Sequence, residues 1–305
     1  MRPAGMTCLI LGGDQREIVT AEVWSSRGWH VIIQGLPDCE PRNNITYLSN
    51  IEDVLPEIDL TLLPVRGMDD QGIIHHLPGV REIQWQSVWL QRMKPGARIV
   101  IGTAPEVLRK DCKENGIPLH ELMTRDDFAF HNAIPTAEGA ILSALQRSER
   151  TLHGCAALVI GYGRTGIVLA QKLHAWSARV TVAARKASQR AHAETMGCSS
   201  LPIAELRRHW GEFDFIFNTV PAMMMRAEDL SLCRRDVVIT DVASAPGGVD
   251  FQAAHHLGIS IRHELSLPGR TAPKSAGTAI VRAIDAILTE AADSCSQAGR
   301  GGLQR

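Results

Sequence analysis

The sequence predicts an α/β fold made of two doubly wound parallel-sheet domains with an interdomain cleft. Three observations carry this. The chain has 305 residues, enough for two domains at roughly 100–200 residues each. Short runs of Val, Ile and Leu alternate with helical patterns along it, the pattern of a parallel sheet covered on both faces. The string GYGRTG at 161–166 separates an apolar run from a helical one; strand, glycines, helix is the opening of a Rossmann-like unit.

The first half supplies its elements in order. Thr7–Gly13 (TCLILGG) reads as a buried strand ending in glycines, and Asp14 caps a helix to about Arg27. Strands follow at His30–Gln34, Ile45–Leu48, Leu60–Val65 and Arg98–Gly102, with helical patterns at Glu82–Met93 and Pro105–Asn115. Asp126–Arg147 reads as a connecting helix that Pro135 kinks or restarts, because proline removes a backbone donor. In the second half the strands are Ala156–Ile160, Arg179–Ala183, Phe215–Asn218, Val237–Val242 and a run near Ser260–Arg262. A last helix, Ser275–Thr289, is expected to return to the first domain. The resulting division is 1–150 plus 270–290 for one domain and 151–269 for the other, with a small, polar, disordered tail over 291–305.

Composition narrows the function. Lys+Arg is 32 and Asp+Glu 33, a net charge of −1, which gives no general grip on nucleic acid or an anionic membrane. The basic residues are 26 Arg and 6 Lys, a bias of base composition. Seven scattered Cys without C-x-x-C spacing argue against a disulfide framework and a metal site, and fit a reducing cytosol. The apolar run Cys8–Leu11 is too short for a signal peptide, and no apolar stretch reaches the ~18 residues of a membrane span. The pairs His75-His76 and His255-His256 read as solvated helix residues.

The glycine string carries the most specific chemistry. Gly161 permits a tight turn, Gly163 lets backbone approach a pyrophosphate, and Gly166 lets the helix pack on the strand. The N–H groups and dipole at the helix start, where Arg164 and Thr165 stand, then attract phosphate. The second strand ends in Arg185, Lys186 and Ser188 with no carboxylate, which points to NADP rather than NAD. Asn218, Thr219, Val220 and Pro221 end one later strand, and Ala243 and Ser244 another. Both segments are expected to line the nicotinamide side, since ligands bind at strand carboxyl ends. Three further polar segments are expected to face the cleft and bind substrate. They bring Asp14 and Arg16, then Asn132 and Thr136, then Arg270, Thr271 and Ser275, with Lys274 among them. Guanidinium and ammonium groups there suit carboxylates.

In combination these motifs resemble the A-subunit family of dipicolinate synthases from spore-forming bacteria. The resemblance rests on GGDQRE (12–17), LPV (63–65), RDDFAFHNAIPTAEG (125–139), LHGCAALVIGYGRTG (152–166), the Arg185 region, NTVPAMM (218–224), DVASAPGGVDF (241–251) and LPGRTAPKSAG (267–277). It departs at Ser266, where Gly is usual, and at Ser275, where Thr is usual. The resemblance implies oxidation of dihydrodipicolinate, or a hydrated precursor, to dipicolinate with hydride transfer to NADP. It implies a flavoprotein-like B subunit, a homo-oligomer, and the cytoplasm of a sporulating mother cell. For the proton the candidates are Lys274, Glu138 and Asp126, in that order. Two other readings stay open: a two-domain hydroxy-acid or amino-acid dehydrogenase, and a nucleotide-binding scaffold whose partner is catalytic. The first wants a His–carboxylate pair, and His120-Glu121 on a strand would point to opposite faces.

Overall fold

The computed structural model describes residues 5–37 and 44–301, with side chains to residue 293. The chain forms two compact units: residues up to Ala129 together with those from Pro273 onward, and Phe130–Ala272. The boundary falls inside one helix, some twenty residues before the position drawn from the sequence.

Unit 1 holds a six-stranded sheet of β1 (Thr7–Leu11), β2 (His30–Gln34), β3 (Ile45–Tyr47), β4 (Leu60–Leu62), β5 (Arg98–Ile101) and β6 (Leu119–Glu121), in the order β3-β2-β1-β4-β5-β6. Every pairing is parallel. All four residues Cys8–Leu11 are buried, as a central strand covered on both faces requires. One face packs under α1 (Gln15–Ser26) and α10 (Pro273–Gly301), which contributes Ala279, Ile280, Val281, Ala283, Ile284 and Ile287 to the same cluster as Trp24 and Trp29. Arg27 pairs with Asp285 at 2.9 Å, and Gly277 lies against the Arg16 carbonyl, so α1 and α10 run in the same direction. Helix α10 continues past Ala291 to Gly301; Ala291-Ala292 and Ala298 are good helix formers. Residues 302–305 of the expected tail lie outside the described residues.

Two local expectations change in unit 1. The helical pattern Glu82–Met93 is realised only as α2 (Val88–Arg92). Ahead of it, Asp111 accepts bonds from Trp85 Nε1 and the Ser87 hydroxyl, and isolated bridges join Met68 to Ile74 and Ile73 to Gln84. Tertiary bonds thus override the helical pattern over 82–87. His75 and His76 belong to this loop, not to a helix. The other helices here are α3 (Glu106–Glu114) and the start of α4 (Asp126–Leu145). Helix α4 runs through Pro135 unbroken, with His131 exposed on the turn whose carbonyl proline leaves without a donor.

Unit 2 repeats the topology with β7 (Ala156–Ile160), β8 (Arg179–Ala184), β9 (Ser199–Pro202), β10 (Phe215–Asn218), β11 (Val238–Asp241) and β12 (Ser260–His263), ordered β12-β11-β10-β7-β8-β9 and parallel throughout. Its helices are the rest of α4, α5 (Arg164–Ala175), α6 (Ala187–Thr195), α7 (Ala227–Leu230), α8 (Phe251–His256) and α9 (Leu267–Thr271). Both units are therefore Rossmann-like. Among the described residues no helix is long and apolar enough to cross a membrane. The described cysteines 8, 112, 155, 198 and 233 are free. No group of described residues could hold a metal ion.

Ser266, ahead of α9, sits at φ +56°, the left-handed region, and its buried Oγ has no hydrogen-bond partner. That backbone favours glycine, the residue usual there in the resembling family. It costs a non-glycine residue about 1–2 kcal/mol. Ser266→Gly is expected to raise stability by about 1 kcal/mol, after the entropy glycine returns to the unfolded chain is deducted. Urea denaturation of the two proteins measures this, and a loss of stability would show that the serine hydroxyl holds the loop.

Candidate functional site

Each sheet reverses its strand order between two central strands, β1/β4 in unit 1 and β7/β10 in unit 2. In such sheets ligands bind in the crevice beyond the carboxyl ends at that reversal. The two crevices are built differently.

In unit 2 the loop leaving β7 turns at Gly161, φ +94°. A Cβ there would lie 2.5 Å from Thr219 Oγ1, and one on Gly166 would overlap the Gly161 carbonyl oxygen, so both positions are closed to any side chain. Gly163 is the N-cap of α5 and faces open space, and no side chain caps the helix. A helix start whose N-cap carries no side chain is the arrangement that lets a phosphate approach. Thr219 Oγ1 donates to the Ile160 carbonyl at 2.9 Å and binds the loop to β7. Asn218, fully buried, donates from Nδ2 to the Val220 carbonyl and to Asp241 Oδ1, both at 3.0 Å, and accepts from Val220 N. Asp241 also accepts from Ala243 N at 2.9 Å and Gly248 N at 2.7 Å. Asn218 and Asp241 therefore shape the turns Thr219–Pro221 and Ala243–Ser244 and use their own polar atoms to do so.

At the end of β8, Arg185, Lys186 and Ser188 are all exposed. Arg190 donates to the carbonyls of Ala184 and Arg185, at 3.0 and 2.9 Å, and Gln189 Nε2 to the Tyr162 carbonyl at 3.0 Å. These two positioning residues escaped sequence reasoning; the motif that could reveal them is the first turn of α6, one turn beyond Arg185. No carboxylate stands on the strand end.

Of the remaining expected substrate residues of unit 2, Arg270 and Thr271 link α9 to α4, whereas Asn132 and Thr136 do not. Thr136 Oγ1 donates to its own helix at the Asn132 carbonyl, 2.8 Å. Asn132 Oδ1 is buried without a hydrogen-bond partner. Thr271 lies against Gly139. Arg270 donates to Glu264 Oε2 at 2.9 Å, and Ser143 donates to Glu264 Oε1 at 2.6 Å. Burial pushes the Glu264 carboxyl up, but these bonds hold it below its ordinary value. Glu138 is paired with Lys172 at 2.7 Å.

In unit 1 the corresponding helix start is filled by the chain's own carboxylates. Asp14 and Glu17 form a capping box on α1. Asp14 accepts from Arg16 N at 3.0 Å, and from Arg16 Nε and Nη2 at 2.9 and 2.8 Å. Glu17 accepts from Asp14 N at 2.8 Å and from Val65 N, beyond β4, at 3.0 Å. Asp14, Arg16 and Glu17 are all buried. Burial pushes Asp14 up, yet the bonds from Arg16 leave its carboxyl below the ordinary range. Glu17 has no such pairing, and burial, helped by Asp14 and opposed by Arg16, raises it from 4.5 to about 7. Lys274 and Ser275 are exposed on the first turn of α10. Because α10 runs alongside α1, they stand at the same end of the unit as Arg16. Asp126 starts α4 after the edge strand β6, next to Arg125, which pairs with Glu290 farther along α10. Glu17 went unselected in the sequence, although D-x-x-E before an apolar run is a capping-box signature.

Glu17 gives a pH test. A carboxyl whose folded pKa is raised stabilises fully below its unfolded value and loses that contribution as pH rises through the folded one. The stability difference between wild type and Glu17→Gln should therefore shrink from pH 4.5 to 7. The variant should also be weaker by about 1–3 kcal/mol at low pH, because an amide nitrogen cannot accept one of the two backbone N–H bonds. Urea titrations across that range decide; a constant difference would refute the buried, proton-holding carboxyl.

Comparison with known proteins agrees with this division. Residues 7–123 match the model of the N-terminal domain of the dipicolinate synthase A-subunit. Residues 123–251 match that of the D-isomer specific 2-hydroxyacid dehydrogenase NAD-binding domain. The second unit is thus a nicotinamide-dinucleotide-binding domain of dehydrogenase type. The dipicolinate synthase A-subunit of Bacillus subtilis (strain 168) is 30% identical over 287 residues, covering 94% of this chain and 97% of that one. The crystal structure of the dipicolinate synthase A-subunit from Bacillus halodurans superposes with a TM-score of 0.84 at 29% identity, over 95% of this chain and 98% of that one. The corresponding crystal structure from Bacillus subtilis gives 0.84 at 30% identity, over 95% and 97%. With its glycine-turned cofactor crevice and its capped first helix, the chain belongs to the dipicolinate synthase A-subunit family.

Proposed function

We propose that this chain oxidises dihydrodipicolinate, or its hydrated precursor, to dipicolinate, with NADP⁺ as hydride acceptor. The observation that carries the cofactor choice is the end of β8. Arg185, Lys186 and Ser188 are exposed there, and the strand end bears no carboxylate that would repel a 2′-phosphate and bind a 2′-hydroxyl instead. The uncapped start of α5, with Gly161, Gly163, Arg164, Thr165 and Gly166, fits the pyrophosphate. Thr219, Val220, Pro221, Ala243 and Ser244 are assigned to the nicotinamide end. The family of the chain carries the substrate choice.

NADP⁺, when bound, would supply a hydride acceptor; the substrate ring becomes aromatic by losing a hydride and a proton, after loss of water in the case of the hydrated precursor. Aromatisation supplies the driving force, so the protein's contribution is orientation and anion binding. Arg16 and Arg270 are assigned to the two carboxylates, with Asn132, Thr136, Thr271 and Ser275 as hydrogen-bond donors beside them, and Asp14 as the group that holds Arg16. Arg270 would have to share its guanidinium with Glu264. For the proton, Lys274 leads, exposed on the first turn of α10. Glu138 is second because Lys172 already neutralises it, and Asp126 is third. The relatives' designation as A-subunits supports work with a partner subunit; a flavoprotein-like B subunit, a homo-oligomeric state and the cytoplasm of a sporulating cell belong to the same proposal.

The test supplies the aldol product of pyruvate and aspartate semialdehyde to the purified chain, alone and with its B subunit, and follows NADPH absorbance and dipicolinate together. Formation of both by the chain alone supports the assignment; formation only with the partner makes the complex the enzyme. Neither product in either case defeats it. Arg185→Ala should weaken NADP⁺ binding roughly 10- to 100-fold, the worth of a charge-assisted phosphate contact, and leave NAD⁺ binding unchanged. Equal loss of both cofactors would remove the phosphate-clamp assignment.

A further inference from the structure

The loop leaving β4 returns to the α1 start through main-chain bonds. Gly13 N donates to the His75 carbonyl at 2.8 Å, His75 N to the Gly67 carbonyl at 3.1 Å, and Val65 N to Glu17 at 3.0 Å. This ring of contacts brings Arg66 and His75 to the mouth of the β1/β4 crevice, in front of Arg16. Arg66 is exposed, and its Nη1 lies 3.3 Å from His75 Nε2. A guanidinium can only donate, so Nε2 accepts and the neutral ring keeps its hydrogen on Nδ1.

The charges here do not balance. Arg16 is matched by Asp14, and Glu17 is largely occupied by two backbone amides. Arg66 has no carboxylate partner among the described residues. Burial lowers its pKa, with Asp14 opposing and Arg16 adding to the fall. Burial and the Arg66 charge together press His75 down to about 4. A guanidinium without a carboxylate partner and a neutral imidazole donor are thus grouped beside the Arg16–Asp14 pair.

We infer that Arg66 and His75, backed by Arg16, form a carboxylate-binding site of unit 1 that recognises one carboxylate of the substrate. The class is carboxylate and not phosphate for two reasons. The amides that would cradle a third oxygen are taken, since Asp14 N is bonded to Glu17 and Arg16 N to Asp14. The planar fork of Arg66 matches a two-oxygen group. Arg66 does not stand out in the sequence, and His75 reads there as a solvated helix residue, because the loop that delivers them has no motif.

This inference deepens the proposed function and rests on it for the identity of the ligand. The test is calorimetric titration of the full chain with pyridine-2,6-dicarboxylate, pyruvate and inorganic phosphate, for wild type, Arg66→Gln and His75→Phe, with NADP⁺ affinity as a control of the fold. Pyridine-2,6-dicarboxylate should bind wild type, and Arg66→Gln should raise its Kd about tenfold or more, the worth of a charge-assisted bond. His75→Phe should weaken it less, and NADP⁺ affinity should not move. Unchanged dicarboxylate affinity in Arg66→Gln overturns the site while leaving the proposed reaction standing. Pyruvate binding that needs Arg66, without pyridine-2,6-dicarboxylate binding, upholds the site and overturns the proposed reaction. Phosphate binding as tightly as the carboxylates and lost in Arg66→Gln overturns the carboxylate assignment.

Discussion

A sheet whose strands all run one way delivers every strand's carboxyl end to the same side, and each strand must then be left by a crossover. Both sheets here obey that constraint without an antiparallel pair among the described strands. Much of the polar chemistry follows from it. Asp14, Arg16 and Glu17 follow β1; Val65 and Arg66 follow β4; the glycine turn follows β7; Arg185 follows β8; Asn218 and Asp241 end β10 and β11. The central strands β1 and β7 are nearly continuous apolar runs because both faces are covered.

The same topological place is used in opposite ways in the two units. After β7 the helix start carries no side-chain cap, and glycine keeps the space clear. After β1 two carboxylates occupy the equivalent amides, and one of them also receives the amide of Val65. A helix start filled by its own acids has little room for pyrophosphate and turns the crevice toward side-chain recognition. One architecture, used twice, thus has one helix start without a side-chain cap and one closed by its own carboxylates.

The fold was legible because its signals are periodic and local. Strands β2, β7 and β10 begin and end where the apolar runs do. The short edge strands β6 and β9, Leu119–Glu121 and Ser199–Pro202, lack such runs and gave no signal. The stretch 82–87 misled, since bonds from Trp85 and Ser87 to Asp111 decide its course from 24 or more residues away. The candidate site divides on the same line. The glycines and Arg185 announce themselves by spacing, whereas Arg190 acts through carbonyls it meets only when α6 folds. Arg66 and His75 meet through a loop whose path depends on Glu17 and Gly13.

Helix α10 completes the core of unit 1 although some 140 residues of unit 2 separate it from α3 and the first turn of α4. A ribosome emits the chain from its N-terminus, and domains fold as they emerge. Unit 2, a continuous segment, is fully synthesised before Ile280 and Ile284 exist. The apolar face of α1 and the sheet beneath it must wait for them. During synthesis the second unit can thus reach its native core first, while the unit that begins the chain is the last to close.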